Sequence, residues 1–462
     1  MKYFSLFIFT FLLIFSSCNG FLDKVSPTDV AEDELFKTAA GLRNARIGMY
    51  SDLSKKEYYG GYFPLLISAY SDDGSTGGYN NPTLDEIGEL SLSSSNKLVY
   101  SLWTTMYNVL YTTNAILENV DNIQDVNLSA EERNDIKGEA LTVRALVHFD
   151  LLRTFGEHWR LSSPYGIPLA QKRLTQNDIL KRNTVNECYA SIMSDLATAI
   201  PLLSDKDTQT DIWKGRAFIG RMTATALYAR VTLYSQSYSY SAQFATEVIE
   251  NTTGYYALFA GSSLKNLYLQ RETQESIFEL RFNSQNRSQY NAFTYSRPDA
   301  LRTELTFLAD ADLHTFFLKR TEDVRISFVD YANVDVSIQP DGRTDKYRGE
   351  QLRDNSAYII RLAEMYLIRA EARRFPAGIG DLNTIRVARG LGAVNPQNEA
   401  DFYRFLLEER RAEFNFEGHR YFDLARLGKI EEVLGSNVKP VFPIPANELS
   451  SSKNEIVQYP GY

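Results

Sequence analysis

Apolar positions recur at three- and four-residue steps over much of the chain, the period of an amphipathic helix. From about Glu34 this spacing holds Phe36, Leu42, Ile47, Met49, Tyr50 and Leu53. A second helix is predicted at 97–121 from Leu102, Trp103, Met106, Tyr107, Leu110, Leu117 and Val120. Ser129 opens a third, because its hydroxyl can accept from a free amide of the first turn while Glu132 reaches back. Its apolar stripe passes through Ile136, Ala140, Val143, Val147 and Leu151 to a stop at Gly156. Thr184 with Glu187 repeats the capping device and starts a helix that runs to about Pro201. Helices at 216–238 and 241–250 follow, and Gly254 ends the run. Helical spacing resumes at about 360–375, 380–389 and 400–428.

Two segments break this rhythm. Residues 57–96 are rich in Gly, Ser, Asn, Asp and Tyr, and 255–357 carry short strand-like stretches such as Ser276–Phe282 between polar loops. Long irregular insertions in a compact domain are functional or disordered. The pattern therefore predicts a mainly α protein, a tetratricopeptide-like scaffold of helical hairpins with long irregular insertions and a few short strands. Its parts are a helical region at about 34–255, a loop-rich insertion at about 256–357 and a helical region at about 358–462, together one domain over 18–462.

The N-terminus changes the picture. A basic start at Lys2, an apolar run from Phe4 to Phe15 and small residues Ser16 and Ser17 form a secretory signal. That run is too short to span a bilayer, which takes roughly 20 residues. Cys18 directly after the small pair matches a lipoprotein processing site, with Phe15 where leucine is usual. The expectation is cleavage after residue 17 and lipidation of Cys18. Cys188, the other of the two cysteines, then has no partner for an internal disulfide and reads as a core residue. The net charge of −9 argues against nucleic acid, whose phosphates need a basic surface. The chain has 29 tyrosines and 27 phenylalanines; many are expected in the core, yet tyrosine is also a rigid, amphipathic contact residue for polar ligands.

The segment 409–426 is dense in carboxylates, which raises the question of glycoside hydrolysis by an acid and a second carboxylate. Arg410 stands three before Glu413, Arg420 three after Glu417, and Asp423 between Arg420 and Arg426. Residues three and four apart face one another on a helix, and a neighbouring guanidinium lowers a carboxyl pKa. Ion pairs are therefore expected here, not a general acid. His148, His158, His314 and His419 form no paired metal motif. No nucleotide loop, nucleophile elbow or cofactor fingerprint occurs, and no cofactor or metal is expected. The Asp72–Pro82 loop has abundant oxygen ligands but lacks the spacing of a calcium hand. It suits sugar better: hydroxyls pair with Asp and Asn, and C–H faces sit on aromatic rings. Asp72, Asp73, Tyr79, Asn80 and Asn81 supply that mixture, with Tyr58, Tyr59 and Tyr62 upstream. Tyr290, Phe293 and Tyr295, with Asn283 and Asn291, form a second candidate.

The run Glu409-Arg410-Arg411-Ala412-Glu413-Phe414-Asn415-Phe416-Glu417-Gly418-His419-Arg420-Tyr421-Phe422-Asp423-Leu424-Ala425-Arg426 resembles the signature of the SusD/RagB outer-membrane lipoproteins of Bacteroidetes. Trp103, Tyr107 and Asn114 resemble that family's W-x3-Y helix, and Glu139 to Gly156 its EAxxxRAxxYFDLxxxFG run, with His148 in the Tyr place. Arg361 to Ala372, Leu382 to Arg386 and the Pro443-Ile444-Pro445 ending are similar in the same order. The resemblance implies a non-catalytic surface protein that binds oligosaccharide and delivers it to a SusC-like TonB-dependent transporter, with peptide or a host molecule as the alternative ligand. It carries over no catalytic residue.

Overall fold

The structure, a computed structural model, describes residues 34–77, 81–175, 177–205, 215–251, 256–294, 306–330, 342–347, 354–453 and 455–462. Tyr79, Asn80, Tyr295 and the whole leader with Cys18 lie outside them.

Local chemistry sets most helix starts. Thr38 caps α1 (Ala39–Leu53) by accepting from the Gly41 amide. Helix α2 (Tyr62–Ala69) is almost wholly buried, strand β1 (Gly74–Thr76) follows, and α3 (Pro82–Gly88) takes proline at its first position, where no amide hydrogen is missed. The Asn96 side chain accepts from Leu98 and Val99 at the head of α4 (Lys97–Asn119). Helix α5 (Ala130–Phe155) is capped by Ser129, but Glu132 does not close the expected box; its carboxylate takes Arg43 at 2.6 and 2.7 Å. In α6 (Val185–Ala199) both halves of the Thr184–Glu187 box form. Helices α7 (Arg221–Tyr234) and α8 (Tyr238–Ile249) complete the first part, α7 being shorter at both ends than its apolar pattern suggests.

Beyond α9 (Lys265–Leu269), β2 (Ser276–Leu280), α10 (Tyr290–Thr294), β3 (Phe307–Ala309), α11 (Ala311–Leu318), β4 (Val329–Asp330), β5 (Arg343–Thr344) and β6 (Ala357–Arg361) make up the loop-rich region. Helices α12 (Leu362–Arg373), α13 (Ile379–Ala388), α14 (Glu399–Phe414), α15 (Arg420–Arg426), α16 (Ile430–Leu434) and α17 (Ala446–Ser451) close the chain.

The helices stack in series: α1 on α4, α4 on α5, α5 on α6, α6 on α7, α7 on α8, α8 on α12 and α12 on α13. This is the mainly α, tetratricopeptide-like architecture the periodicity predicts. The predicted stripes are buried at Leu42, Met49, Leu102, Met106, Leu110, Val143, Val147 and Leu151, whereas Ile47 faces out. Three antiparallel pairs tie the loops down: β1 with β3, β2 with β6 and β4 with β5.

Two departures from the periodicity matter for the site. Residues 57–96 are not irregular throughout, since α2 and α3 form within them. The predicted helix 400–428 is broken after Phe414. Phe416 and Gly418 take φ of 61° and 77°, left-handed values that end a helix. A Cβ on Gly418 would lie 2.9 Å from the Pro64 Cα, so the backbone of α2 comes too close for any other residue there. The break throws Glu417 off the α14 face, and with it the expected three-residue pairing.

Candidate functional site

The carboxylates of 409–426 are ion-paired, but mostly to distant partners. Glu413 accepts from Arg325 Nη1 (2.9 Å), Arg361 Nη1 (3.0 Å) and Arg389 Nε and Nη2 (2.9 and 2.8 Å). Glu417 accepts from Lys346 Nζ (2.8 Å) and Arg361 Nε (2.7 Å). Asp423 takes Arg410 Nε at 2.7 Å and Arg426 Nη2 at 2.8 Å, so of the pairs expected from spacing only Asp423–Arg426 forms. Arg420 instead donates twice to Asp72, at 2.7 Å each. Burial alone would push the Glu413 carboxyl up, but Arg389 and Arg361 hold it well below the carboxylate range. Glu417 and Asp423 are lowered in the same way against their burial, by Arg361 and Arg410 respectively. Carboxyls held ionised cannot serve as general acids.

Cys188, His148 and His419 are packed away, while His314 is half-buried. Burial pushes the Cys188 thiol up to about 12 and the His148 imidazole down to about 3; His148 Nε2 accepts from the Ala170 amide. His419 is buried against Phe414 and held well below its ordinary value by burial and the surrounding arginines.

The two candidate loops, more than 200 residues apart in sequence, meet. Strand β1 pairs with β3, placing Gly74–Thr76 against Phe307–Ala309. The Gln289 amide donates to the Gly60 carbonyl, and the Gly77 amide to Thr306. Phe293 stacks on Tyr62, with ring centroids 4.7 Å apart and planes 27° apart, and Phe307 meets both rings edge-on. Tyr62 and Phe293 are half-buried and Asn81 is exposed at the head of α3.

Asn283 is exposed, but the other predicted contacts lie deeper than expected. Tyr290 is 1% exposed, donates its hydroxyl to the Tyr59 carbonyl at 2.7 Å and stacks on Tyr347 at 4.3 Å. It is a core residue here, as is Asn291. Tyr58 and Tyr59 are buried with their hydroxyls on Asp150. Asp73 is fully buried on Arg411 Nε (2.8 Å), and burial pushes its carboxyl up to about 6 despite that guanidinium. Asp72, mostly buried between Arg420 and Arg411, keeps a lowered pKa because the guanidiniums outweigh its burial.

Asp72 nevertheless lines a cleft of about 390 Å³ with Ser71, Ser75, Asp310 and Asp312. The last two escape sequence reasoning. Asp310 caps α11 by accepting from the Asp312 amide, so its sequence signal is that of a helix start, not of a ligand.

A family model described as "Starch-binding associating with outer membrane" matches residues 20–233, and one described as "SusD family" matches 334–441. SusD-like protein P2 of Formosa agariphila is 24% identical, with all of each chain covered. A SusD superfamily protein of Bacteroides thetaiotaomicron superposes with a TM-score of 0.80 at 25% identity, over 91% of this chain and 99% of that one. Surface glycan-binding protein A of the same species, solved in complex with laminarihexaose, gives 0.73 at 18% identity over 91% and 99%.

Proposed function

Because the chain belongs to the SusD family, we propose that it binds oligosaccharide at the outer surface of the outer membrane, without catalysis, and passes it to a SusC-like TonB-dependent transporter. One observation carries the reading: two polar, aromatic segments distant in sequence are joined, Tyr62 stacking on Phe293 and both meeting Phe307 of β3, whose partner strand β1 borders an oxygen-lined cleft. Aromatic faces and carboxylates are what a pyranose needs, C–H surface on one side and hydroxyls on the other. The glycan complex of the structural neighbour is consistent with this chemistry. Against hydrolysis stand the guanidinium partners that keep Glu413, Glu417 and Asp423 ionised.

A ring stacked on a sugar contributes about 1 kcal/mol beyond burial, by analogy with aromatic pairs. Tyr62→Ala and Phe293→Ala are each expected to weaken glycan binding roughly fivefold. Calorimetric titration with neutral hexaoses checks this; parent-like affinity in both variants would move the contact surface elsewhere. Failure of the parent to bind any glycan would reject the function.

Anchoring rests on Cys18, placed after an apolar run and two small residues. Several acyl chains on one cysteine hold a protein stably at a bilayer, at about 0.8 kcal/mol per buried methylene. No helix among the described residues is long and apolar enough to span one. Cys18→Ala is expected to shift the protein out of the membrane fraction or block its processing, read by fractionation and blotting. Undiminished membrane retention would remove the lipid anchor from the proposal.

A further inference from the structure

A second cavity, of about 540 Å³, lies between α14, the α15–α16 turn and α11. Its volume falls within the roughly 300–1,000 Å³ of small-molecule sites. Arg411 and Arg420 line it, while Asp72, to which both are paired, lines the 390 Å³ cleft. The ion pairs thus stand between the two spaces.

The chemistry of the second space is specific. Phe316 and Tyr403, both half-buried, line it, with the Arg411 and Arg320 guanidiniums over the Phe316 ring at 5.0 and 5.2 Å. Arg411 uses Nε on Asp73 (2.8 Å) and Nη2 on the Asp72 carbonyl and on Asp312 (2.9 Å). Arg420 uses Nε and Nη2 on Asp72. Nη1 of each has no hydrogen-bond partner among the described residues, although both side chains are only 8% exposed. Neither Nη1 is sealed from solvent, so each can donate to water or to the acceptor of a ligand.

Charge then selects among acceptors. Every cation of the wall already holds a carboxylate: Arg411 has Asp73, Arg420 has Asp72, Arg404 has Asp401 and Glu408, and Lys429 has Glu432. An incoming uronate or sulfate would lose its hydration without meeting an uncompensated positive charge. A neutral sugar meets no such penalty. Its hydroxyl oxygens can accept from the two Nη1 groups, its hydroxyl hydrogens can go to Glu408 and Glu432, and its C–H faces can lie on Tyr403 and pack against the part of Phe316 left open by the guanidiniums. We infer that this cavity is a second saccharide subsite, selective for neutral over anionic sugars. The inference rests on the proposed glycan-binding function and names its substrate class.

The test is titration of the intact chain with laminarihexaose, maltohexaose, cellohexaose, xylohexaose and hexagalacturonate. At least one neutral hexaose should bind, and hexagalacturonate should bind tenfold or more weakly than the best of them. Phe316→Ala and Tyr403→Ala should each weaken neutral binding fivefold or more with the melting temperature retained. Should Phe316→Ala not fold, Phe316→Leu keeps apolar volume without the ring and should show the same loss. Parent-like binding in the Phe316 and Tyr403 variants, with loss in Tyr62→Ala or Phe293→Ala, overturns the subsite and leaves the proposed function standing. Tightest binding of hexagalacturonate overturns the neutral selectivity. No binding of any hexaose at millimolar concentration rejects the proposed function itself.

Discussion

Glu413→Gln is expected to lower the stability of the folded chain by about 3–5 kcal/mol, the cost of breaking a buried ion pair from one side. Glutamine nearly matches glutamate in shape, so the loss is one of charge and acceptor capacity. Glu413 is 1% exposed and receives hydrogen bonds from three arginines, Arg325, Arg361 and Arg389. These also reach Glu275, Glu409, Glu417 and Asp323, with Arg320, Arg386 and Lys346 at the edges. The cluster so named has six cations and five anions, and neutralising Glu413 leaves six against four at a buried centre. Guanidinium denaturation of parent and variant measures the difference. The exposed Glu431→Gln, which lies outside the cluster, should stay within about 0.5 kcal/mol of the parent. A Glu413→Gln loss below about 1 kcal/mol would mean that the surrounding arginines do not depend on this carboxylate. The sign with pH follows from the lowered pKa: the contribution is present above the ordinary glutamate value and is lost as pH falls through the folded one.

That network also marks where sequence stops being legible. Helical spacing finds the scaffold because each helix writes its own buried face into a local period. Ion pairing between Asp423 and Arg426 is local and was readable; the partners of Glu413 come from 24 to 88 residues away and leave no trace in its neighbourhood. The left-handed Phe416 compounds this, since nothing in a phenylalanine announces positive φ, while Gly418 two residues later does so only weakly. The candidate site divides along the same line. Phe293 and Asn81 are open or half-open, as composition suggests, but Tyr290 has the same composition signal and lies stacked inside on Tyr347. A tyrosine carries no mark that tells a core stack from a surface one. Asp72 and Asp73 read as free oxygen ligands because Arg411 and Arg420, more than 300 residues on, are their partners only in the fold.

Those same long-range pairs give the candidate patch its rigidity. The Asp72–Asp73 backbone is tied to α14 and α15 through Arg411 and Arg420, and β1 is tied to β3. A ligand surface fixed in this way loses little conformational freedom on binding, which favours affinity from few contacts.

Replacing His158 with phenylalanine is expected to make the protein markedly less sensitive to acid. His158 is fully buried among Trp159, Tyr234 and Phe422, with ring centroids 5.0, 5.5 and 6.3 Å away. Neither ring nitrogen makes a hydrogen bond of acceptable geometry, although the Gly156 and Phe422 carbonyls lie near enough to favour the protonated form slightly. Burial, assisted by Arg426, pushes the imidazole down to about 3 from its ordinary 6.5. Below pH 6.5 the unfolded chain therefore takes up a proton here that the folded chain refuses until about pH 3, and stability falls as pH falls. The slope for one such group approaches about 1.4 kcal/mol per pH unit. His148 and His419 act in the same direction, while Asp73, raised to about 6, acts against them between there and its ordinary value. Those groups are common to parent and variant and cancel in the difference. Phenylalanine keeps the aromatic packing and removes two unpaired polar atoms, so the variant should be at least as stable as the parent at pH 7.5. Its advantage should then grow by about 2 kcal/mol between pH 7.5 and pH 5. Denaturant midpoints taken across that range decide it: parallel curves would show that His158 titrates in the folded protein as it does in the unfolded chain.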